Sequence, residues 1–293
     1  MFIGRSMWTQ AGGHASARHL ERPAVIDWAA DSAERLERVR TERPLVHHIT
    51  NFVSMNDVAN VTLAIGATPV MAHAIEEVAE VTRSARALCL NLGTPSAERI
   101  EAMLEAGKAA GSSGKPVVFD PVGVGATPFR AESARRLLEA FPVMAIRGNH
   151  SEISTLAGLQ ADMRGVDAGS TQDDMRATVQ ALAARYHCTA ASTGRIDTVG
   201  DELRAVTIEN GHRWFTQLTG AGCMATAVLA AFVAVEPDAL AASVSALLCF
   251  EIAGEIAAER SPGIGSFKVA FMDALFTLSP EQLRARANVT RDH

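Results

Sequence analysis

Thr219-Gly220-Ala221-Gly222-Cys223 carries more chemistry than any other segment of the chain. Its glycines let the backbone approach a ligand. The apolar run behind them, Ala225–Val235, reads as a buried helix whose first free N–H groups would point at that ligand. With the helix dipole this makes an anion site, which in phosphoryl transfer stabilises charge on the transferred group. The same residues equally describe a tight strand-to-helix turn whose glycines serve sterics alone. Cys223, on the first turn, is expected to have a lowered pKa and to face the ligand. A buried, inert thiol is as natural there.

Two carboxylates stand out next. Asp120 closes the apolar run Val117–Phe119, and Glu152 closes Asn149-His150-Ser151-Glu152. Hydrated Mg²⁺ takes one or two protein carboxylates and keeps several waters, so the pair suits that ion beside a phosphate. An N-cap role for Asp120 and a first-turn role for Glu152 are the structural alternatives. Arg147, directly after Val143–Ile146, could fork two phosphate oxygens or sit in a surface ion pair. Thr193-Gly194 could offer a hydroxyl and an N–H to a phosphate, or form an ordinary turn. Gly111-Ser112-Ser113-Gly114-Lys115-Pro116 is glycine-rich but is no P-loop, because Ala109 and Pro116 stand where that motif needs Gly and Ser or Thr. Only three lysines occur, Lys108, Lys115 and Lys268, so phosphate handling must rest on backbone N–H groups, Arg and metal. His47 and His48 are adjacent and point to opposite faces of a strand. With His73 and His150 they lack the spacing of a zinc site. Gly66-Ala67-Thr68-Pro69-Val70-Met71 offers apolar walls for a small uncharged ring, or plain core.

These residues work together only if the fold gathers them. Short apolar runs ending in polar or glycine residues recur: Leu45–Ile49, Ala87–Leu90, Val117–Phe119, Val143–Ile146 and Thr189–Ser192. Helix-like segments follow them, with Ser96 capping a helix towards Gly107, Ser133 preceding Ala134–Ala140, and Asp174 preceding Met175–Arg185. This predicts a mostly parallel sheet covered by helices on both faces. Ligands of such sheets bind beyond the carboxyl ends of the strands, where Asp120, Arg147 and Thr193 would converge.

The bulk composition agrees. The chain has 293 residues, 48% hydrophobic and 20% charged, enough for a large core, with a net charge of −6 and a pI near 5.9. Nothing in that balance favours nucleic acid or an anionic membrane. The four cysteines form no CxxC pair and read as reduced thiols of a cytoplasmic protein. The apolar stretches around Ala225–Val235 and Ala239–Phe250 look too short, or too interrupted by Ser and Glu251, to cross a bilayer. Residues 1–25 read as a flexible extension without a secretory pattern, and 26–293 as one domain.

Taken in order, these segments resemble the hydroxyethylthiazole kinase family of the ribokinase-like fold. The resemblance is carried by Leu45-Val46-His47-His48-Ile49-Thr50-Asn51, Gly66–Ala72, Asn91-Leu92-Gly93-Thr94, Asp120–Arg130, Ile146-Arg147-Gly148-Asn149, Gly165-Val166-Asp167 and Thr219–Cys223. It implies an α/β domain without a separate lid, and a homotrimer with its site between subunits. It implies ATP-dependent phosphorylation of 4-methyl-5-(2-hydroxyethyl)thiazole. By match, Met71, Gly220 and Asn51 lie on the thiazole alcohol. Arg147, Thr193 and Asn149 lie on ATP, and Asp120 and Glu152 on Mg²⁺. Gly220, Ala221, Gly222 and Cys223 form the transfer site, with Cys223 where relatives in the wider superfamily carry an aspartate base. Asp57, His48 and Arg195 depart from the family pattern. A kinase for another small alcohol, such as a hydroxymethylpyrimidine, and a non-catalytic ligand sensor are the competing expectations.

Overall fold

The computed structural model describes residues 27–158 and 172–291, so the expected extension over 1–25 and the segment Gly165-Val166-Asp167 lie outside the described residues. The described strands are β1 (Leu45–Ile49), β2 (Thr68–Val70), β3 (Ala87–Asn91), β4 (Val117–Asp120), β5 (Ala145–Asn149), β6 (Thr189–Thr193), β7 (Asp197–Gly200), β8 (Ala205–Ile208) and β9 (Val289–Arg291). They form one nine-stranded sheet in the order β2-β1-β3-β4-β5-β6-β7-β8-β9. From β2 to β6 every neighbour is parallel, and the β6–β9 pairings are antiparallel.

The described helices are α1 (Trp28–Glu42), α2 (Met55–Ile65), α3 (Val78–Ser84), α4 (Ala97–Ser112), α5 (Pro128–Ala140), α6 (His150–Leu156), α7 (Gln172–Tyr186), α8 (Ala221–Val233), α9 (Ala239–Glu259), α10 (Ile264–Thr277) and α11 (Pro280–Arg286). They build two cores, one on each side of the sheet. Ala87, Cys89, Val118, Ala145 and Ala191 join the first, with α1, α2 and α8–α11. Leu88, Leu90, Val117, Phe119 and Ile146 join the second, with α3–α7. Side chains alternate along a strand, so both faces being apolar is what turns β3 and β4 into continuous hydrophobic runs.

That alternation also sets the site. Asn91 shares the parity of Ala87 and Cys89, Asp120 that of Val118, Arg147 that of Ala145, and Thr193 that of Ala191. All four therefore lean towards the face that α8 covers. The register puts Asn91 beside Asp120 and Asn149 beside Thr193.

Several boundaries differ from the sequence reading. Thr127, not Ser133, caps α5. Its hydroxyl accepts from Arg130 N–H and Pro128 opens the helix, leaving Ser133 buried within it. Ser96 does cap α4, accepting from Arg99 N–H. α9 runs 21 residues because Glu251 does not end it, which makes it long and apolar enough by composition to cross a membrane. Yet 83% of that apolar window is buried inside the fold. Its small residues let α8 and α10 pack closely, and Phe250 stacks on Phe215 at 4.8 Å between ring centroids.

Candidate active site

α8 opens at Ala221, four residues earlier than its apolar run announces, with Gly220 as N-cap at φ +81° and no side chain capping the first turn. A Cβ on Gly220 would also lie 2.6 Å from Ser54 Cβ, so both backbone conformation and space require glycine. The N–H groups of Gly222 and Cys223 then have no acceptor within the helix. A Cβ on Gly222 would sit 2.5 Å from Arg147 Nη1, which places that edge of the guanidinium against this turn. Arg147 is 8% exposed, so the surface ion-pair reading does not apply. Its Nη2 donates to Thr193 Oγ1, and its Nε is buried without a partner among the described residues.

Asp120, 1% exposed, ends β4 under the same turn. Its Oδ2 accepts from Thr226 Oγ1 at 2.8 Å, one turn into α8, and from Asn91 Nδ2 at 2.8 Å. It caps no helix. Its Oδ1 is buried with no partner among the described residues. Burial pushes the Asp120 carboxyl up, Arg147 pulls it down, and Glu152 pushes it up again. Glu152 follows from Asn149 in a capping box: Asn149 Oδ1 accepts from Glu152 N–H at 2.9 Å, and Glu152 Oε2 accepts from Asn149 N–H at 2.8 Å. Its Oε1 accepts from Gly123 N–H at 2.8 Å, which ties it to the loop directly after Asp120. Among the described residues no group of three or more His, Cys, Asp or Glu is arranged to cage an ion. A partnerless buried carboxylate oxygen with a second carboxylate close by fits a hydrated Mg²⁺, which needs no such cage.

On the other side of the turn, Asn51 Nδ2 donates to Cys223 Sγ at 3.2 Å. Burial first, and then the Asp120 carboxylate, raise the Cys223 pKa, while Ser54, Asn91 and Asn51 pull it down less. This overturns the expected lowering: a helix N-terminus favours thiolate, but desolvation beside an anion outweighs it. Cys223 is therefore a neutral thiol at neutral pH. Met71 follows β2, beside β1, and packs partly buried against the first core.

The histidines divide as expected between the sheet faces. His47 meets Thr82 and the Ala72 carbonyl, at 2.8 and 2.9 Å, while His48 meets Thr62 at 3.2 Å. Burial lowers both, His48 to about 3. Asp57 pairs with Lys268 at 2.7 Å and so ties α2 to α10, while Arg195 is exposed.

The sequence reading assigned no role to Thr226, Ser54, Asp197 or Glu251. Thr226 was detectable as the residue four on from Gly222, on the same helix face. Asp197 is 2% exposed, accepts from Gly194 N–H at 3.0 Å, and among the described residues its Oδ2 has no partner. Burial raises the Asp197 and Glu251 carboxyls and Arg147 lowers them, so this one guanidinium serves Asp120, Asp197 and Glu251 together. No local sequence signal joins β7 to α9 at that point.

A profile of the hydroxyethylthiazole kinase family matches residues 36–281. A hydroxyethylthiazole kinase of Chloroflexus aggregans is 54% identical over 257 residues, covering 88% of this chain and 92% of its own. The solved hydroxyethylthiazole kinase of Pyrococcus horikoshii superposes with a TM-score of 0.83 at 41% identity, over 89% of this chain and 99% of its own. A ribokinase-like superfamily protein of Enterococcus faecalis, at 12% identity and a TM-score of 0.58 over 85% of this chain and 95% of its own, shares the fold alone. The glycine turn, the strand-end Asp120, the helix-start Glu152 and the arginine thus stand on a ribokinase-like sheet, and the chain belongs to the hydroxyethylthiazole kinase family.

Proposed function

We propose that the chain transfers the γ-phosphate of ATP to the primary alcohol of 4-methyl-5-(2-hydroxyethyl)thiazole. One observation carries the reading. The uncapped first turn of α8 holds Arg147 against Gly222 and stands over Asp120, while the thiol beside it faces Asn51. Phosphate recognition and acceptor positioning thus meet at one helix end.

In this reading the γ-phosphate lies on the N–H groups of Gly222 and Cys223, and Arg147 and Thr193 hold the polyphosphate, with Asn149 close by. The alcohol lies among Asn51, Met71, Gly220 and Cys223. Its oxygen forms the new bond to phosphorus as the bond to the ADP oxygen breaks, and its proton leaves to phosphoryl oxygen or water. A loose transition state needs little early proton removal, so a neutral Cys223 orients the alcohol and does not act as a thiolate base. Asp120 Oδ1 and Glu152 would hold Mg²⁺ through its waters, and the ion would neutralise charge on the phosphates. The reading includes a homotrimer with shared sites. In its support, Phe52 and Val53, next to Asn51, are 67% and 65% exposed and would be covered by a second copy.

Cys223→Ala should retain nucleotide affinity in calorimetry and lose about tenfold to hundredfold in kcat, the range expected for a misoriented acceptor. A variant turning over at the parental rate would remove Cys223 from the reaction. Glu152→Gln, which keeps the side-chain volume, should raise the Mg²⁺ concentration for half-maximal rate several-fold, and an unchanged Mg²⁺ titration would count against its role. Steady-state rates with the thiazole alcohol and with a hydroxymethylpyrimidine test the acceptor. The reading requires kcat/KM to favour the thiazole, and preference for the pyrimidine would overturn it.

A further inference from the structure

Asn91 is 1% exposed and has no part in the reaction described above, yet each polar atom of its side chain is committed. Its Oδ1 accepts from Asn51 Nδ2 at 3.0 Å and from Gly93 N–H at 2.9 Å. Its Nδ2 donates to Asp120 Oδ2 at 2.8 Å. Asn51 is fixed in the same way, with Oδ1 accepting from Ser54 N–H and Oγ at 2.9 and 3.1 Å, and Nδ2 shared between Asn91 and Cys223 Sγ. The result is an unbroken chain from Cys223 through Asn51 and Asn91 to Asp120, crossing the ends of β1, β3 and β4.

We propose that Asn91 is a positioning residue for phosphoryl transfer, an amide strut that sets the acceptor-side thiol and the cation-facing carboxylate in one frame. The proposal rests on the function proposed above. Amides do not relay protons at neutral pH, so the strut acts through orientation. With Oδ2 of Asp120 held by Asn91 and Thr226, Oδ1, which has no partner among the described residues, is the oxygen left for a cation. With one Asn51 hydrogen bound by Asn91, the other is aimed at Sγ, which fixes where the thiol stands.

The backbone after Asn91 is shaped to the same end. A Cβ on Gly93 would lie 2.6 Å from Asn51 Cβ, so only glycine allows the two strand ends this close. Thr94 adopts φ +42°, an unusual conformation for a β-branched residue, and its Oγ1 accepts from Phe52 N–H at 3.2 Å. The 91–94 segment therefore grips the acceptor loop at two points while holding Asp120 at a third.

The test compares wild type, Asn91→Ala and Asn91→Asp. The Asp variant keeps the volume and the accepting oxygen and faces Asp120 with a second carboxyl. For both variants kcat should fall about tenfold to hundredfold, as for misplacement by about an ångström. KM for the alcohol should stay within about threefold, because Asn91 touches neither substrate. Half-saturating Mg²⁺ should rise several-fold, and calorimetric affinity for Mg²⁺–ADP without alcohol should weaken in step. Loss of active fraction alone would lower kcat and leave both Mg²⁺ readouts where they were. Parental kcat and Mg²⁺ response in either folded variant overturns the assignment. So does failure of both to show a cooperative melt, which would make Asn91 a folding residue. A wild type that transfers no phosphate is a separate result and overturns the function itself.

Discussion

Asp120→Asn should melt higher than wild type in the absence of ligands while losing about a thousandfold or more in kcat. The two effects share one cause. Asp120 is 1% exposed and its carboxyl is raised by burial, so at neutral pH the folded protein holds a charge it would rather lose. An amide of the same shape can still accept from Asn91 and Thr226 and removes that charge. Removing a charge that burial disfavours, with Asp197 and Glu251 still beside Arg147, should raise the melting temperature by several degrees for a chain of this size. The pH dependence follows from the sign of the shift. A carboxyl raised on folding contributes stability below the ordinary carboxylate range and loses it as pH climbs through the raised value towards neutrality. The melting advantage of Asp120→Asn should therefore be small near pH 4 and largest at neutral pH and above. Mg²⁺ with nucleotide should narrow the gap by stabilising wild type alone. The rate loss follows because the variant has no anionic oxygen for the cation. A variant that melts lower at neutral pH, or keeps a tenth of wild-type kcat, contradicts this assignment.

Gly222→Ala should cut turnover sharply while harming the fold less than Gly220→Ala does. Its methyl group would meet Arg147 Nη1 at 2.5 Å and Nη2 at 3.4 Å. The guanidinium cannot swing into water, because it is 8% exposed and held by Thr193. Either Arg147 leaves the phosphate position or the α8 turn recedes from it. A loss of about 10²–10³ in kcat/KM is expected, the scale for removing one preorganised charge-stabilising group, with KM for ATP rising. Gly222 has no left-handed backbone requirement, so its loss of stability comes only from the displaced Arg147 and should be smaller than that of a left-handed glycine. Gly220→Ala makes the contrast. At φ +81° and 2.6 Å from Ser54 Cβ it should lose stability as well as rate. Equal destabilisation by both substitutions would show that the turn is purely structural.

The strand-end residues were legible in the sequence for a definite reason. Strands buried on both faces read as apolar runs, so Asp120, Arg147 and Thr193 stand out where those runs stop. The glycine turn was legible because few other residues fit so close a backbone approach. Its placement against Arg147 was not, since that depends on β5 and α8 sharing a sheet face. The antiparallel end of the sheet was also hidden. β7 and β8 are four residues each and β9 comes from the far end of the chain, so local pattern does not connect them. The Cys223 pKa was misread because helix position is visible in sequence, whereas burial beside Asp120 is a property of the fold. The start of α5 was missed because the helix was read from Ala134, while Thr127-Pro128 supplies both a capping hydroxyl and a preset backbone angle.

Phosphorus NMR of the purified protein with ATP, Mg²⁺ and 4-methyl-5-(2-hydroxyethyl)thiazole tests the central claim most directly. A phosphate monoester of the thiazole alcohol should appear in step with ADP, and chelating the Mg²⁺ should stop both. ADP formed with inorganic phosphate and no monoester, or no turnover with this alcohol at all, would contradict the account.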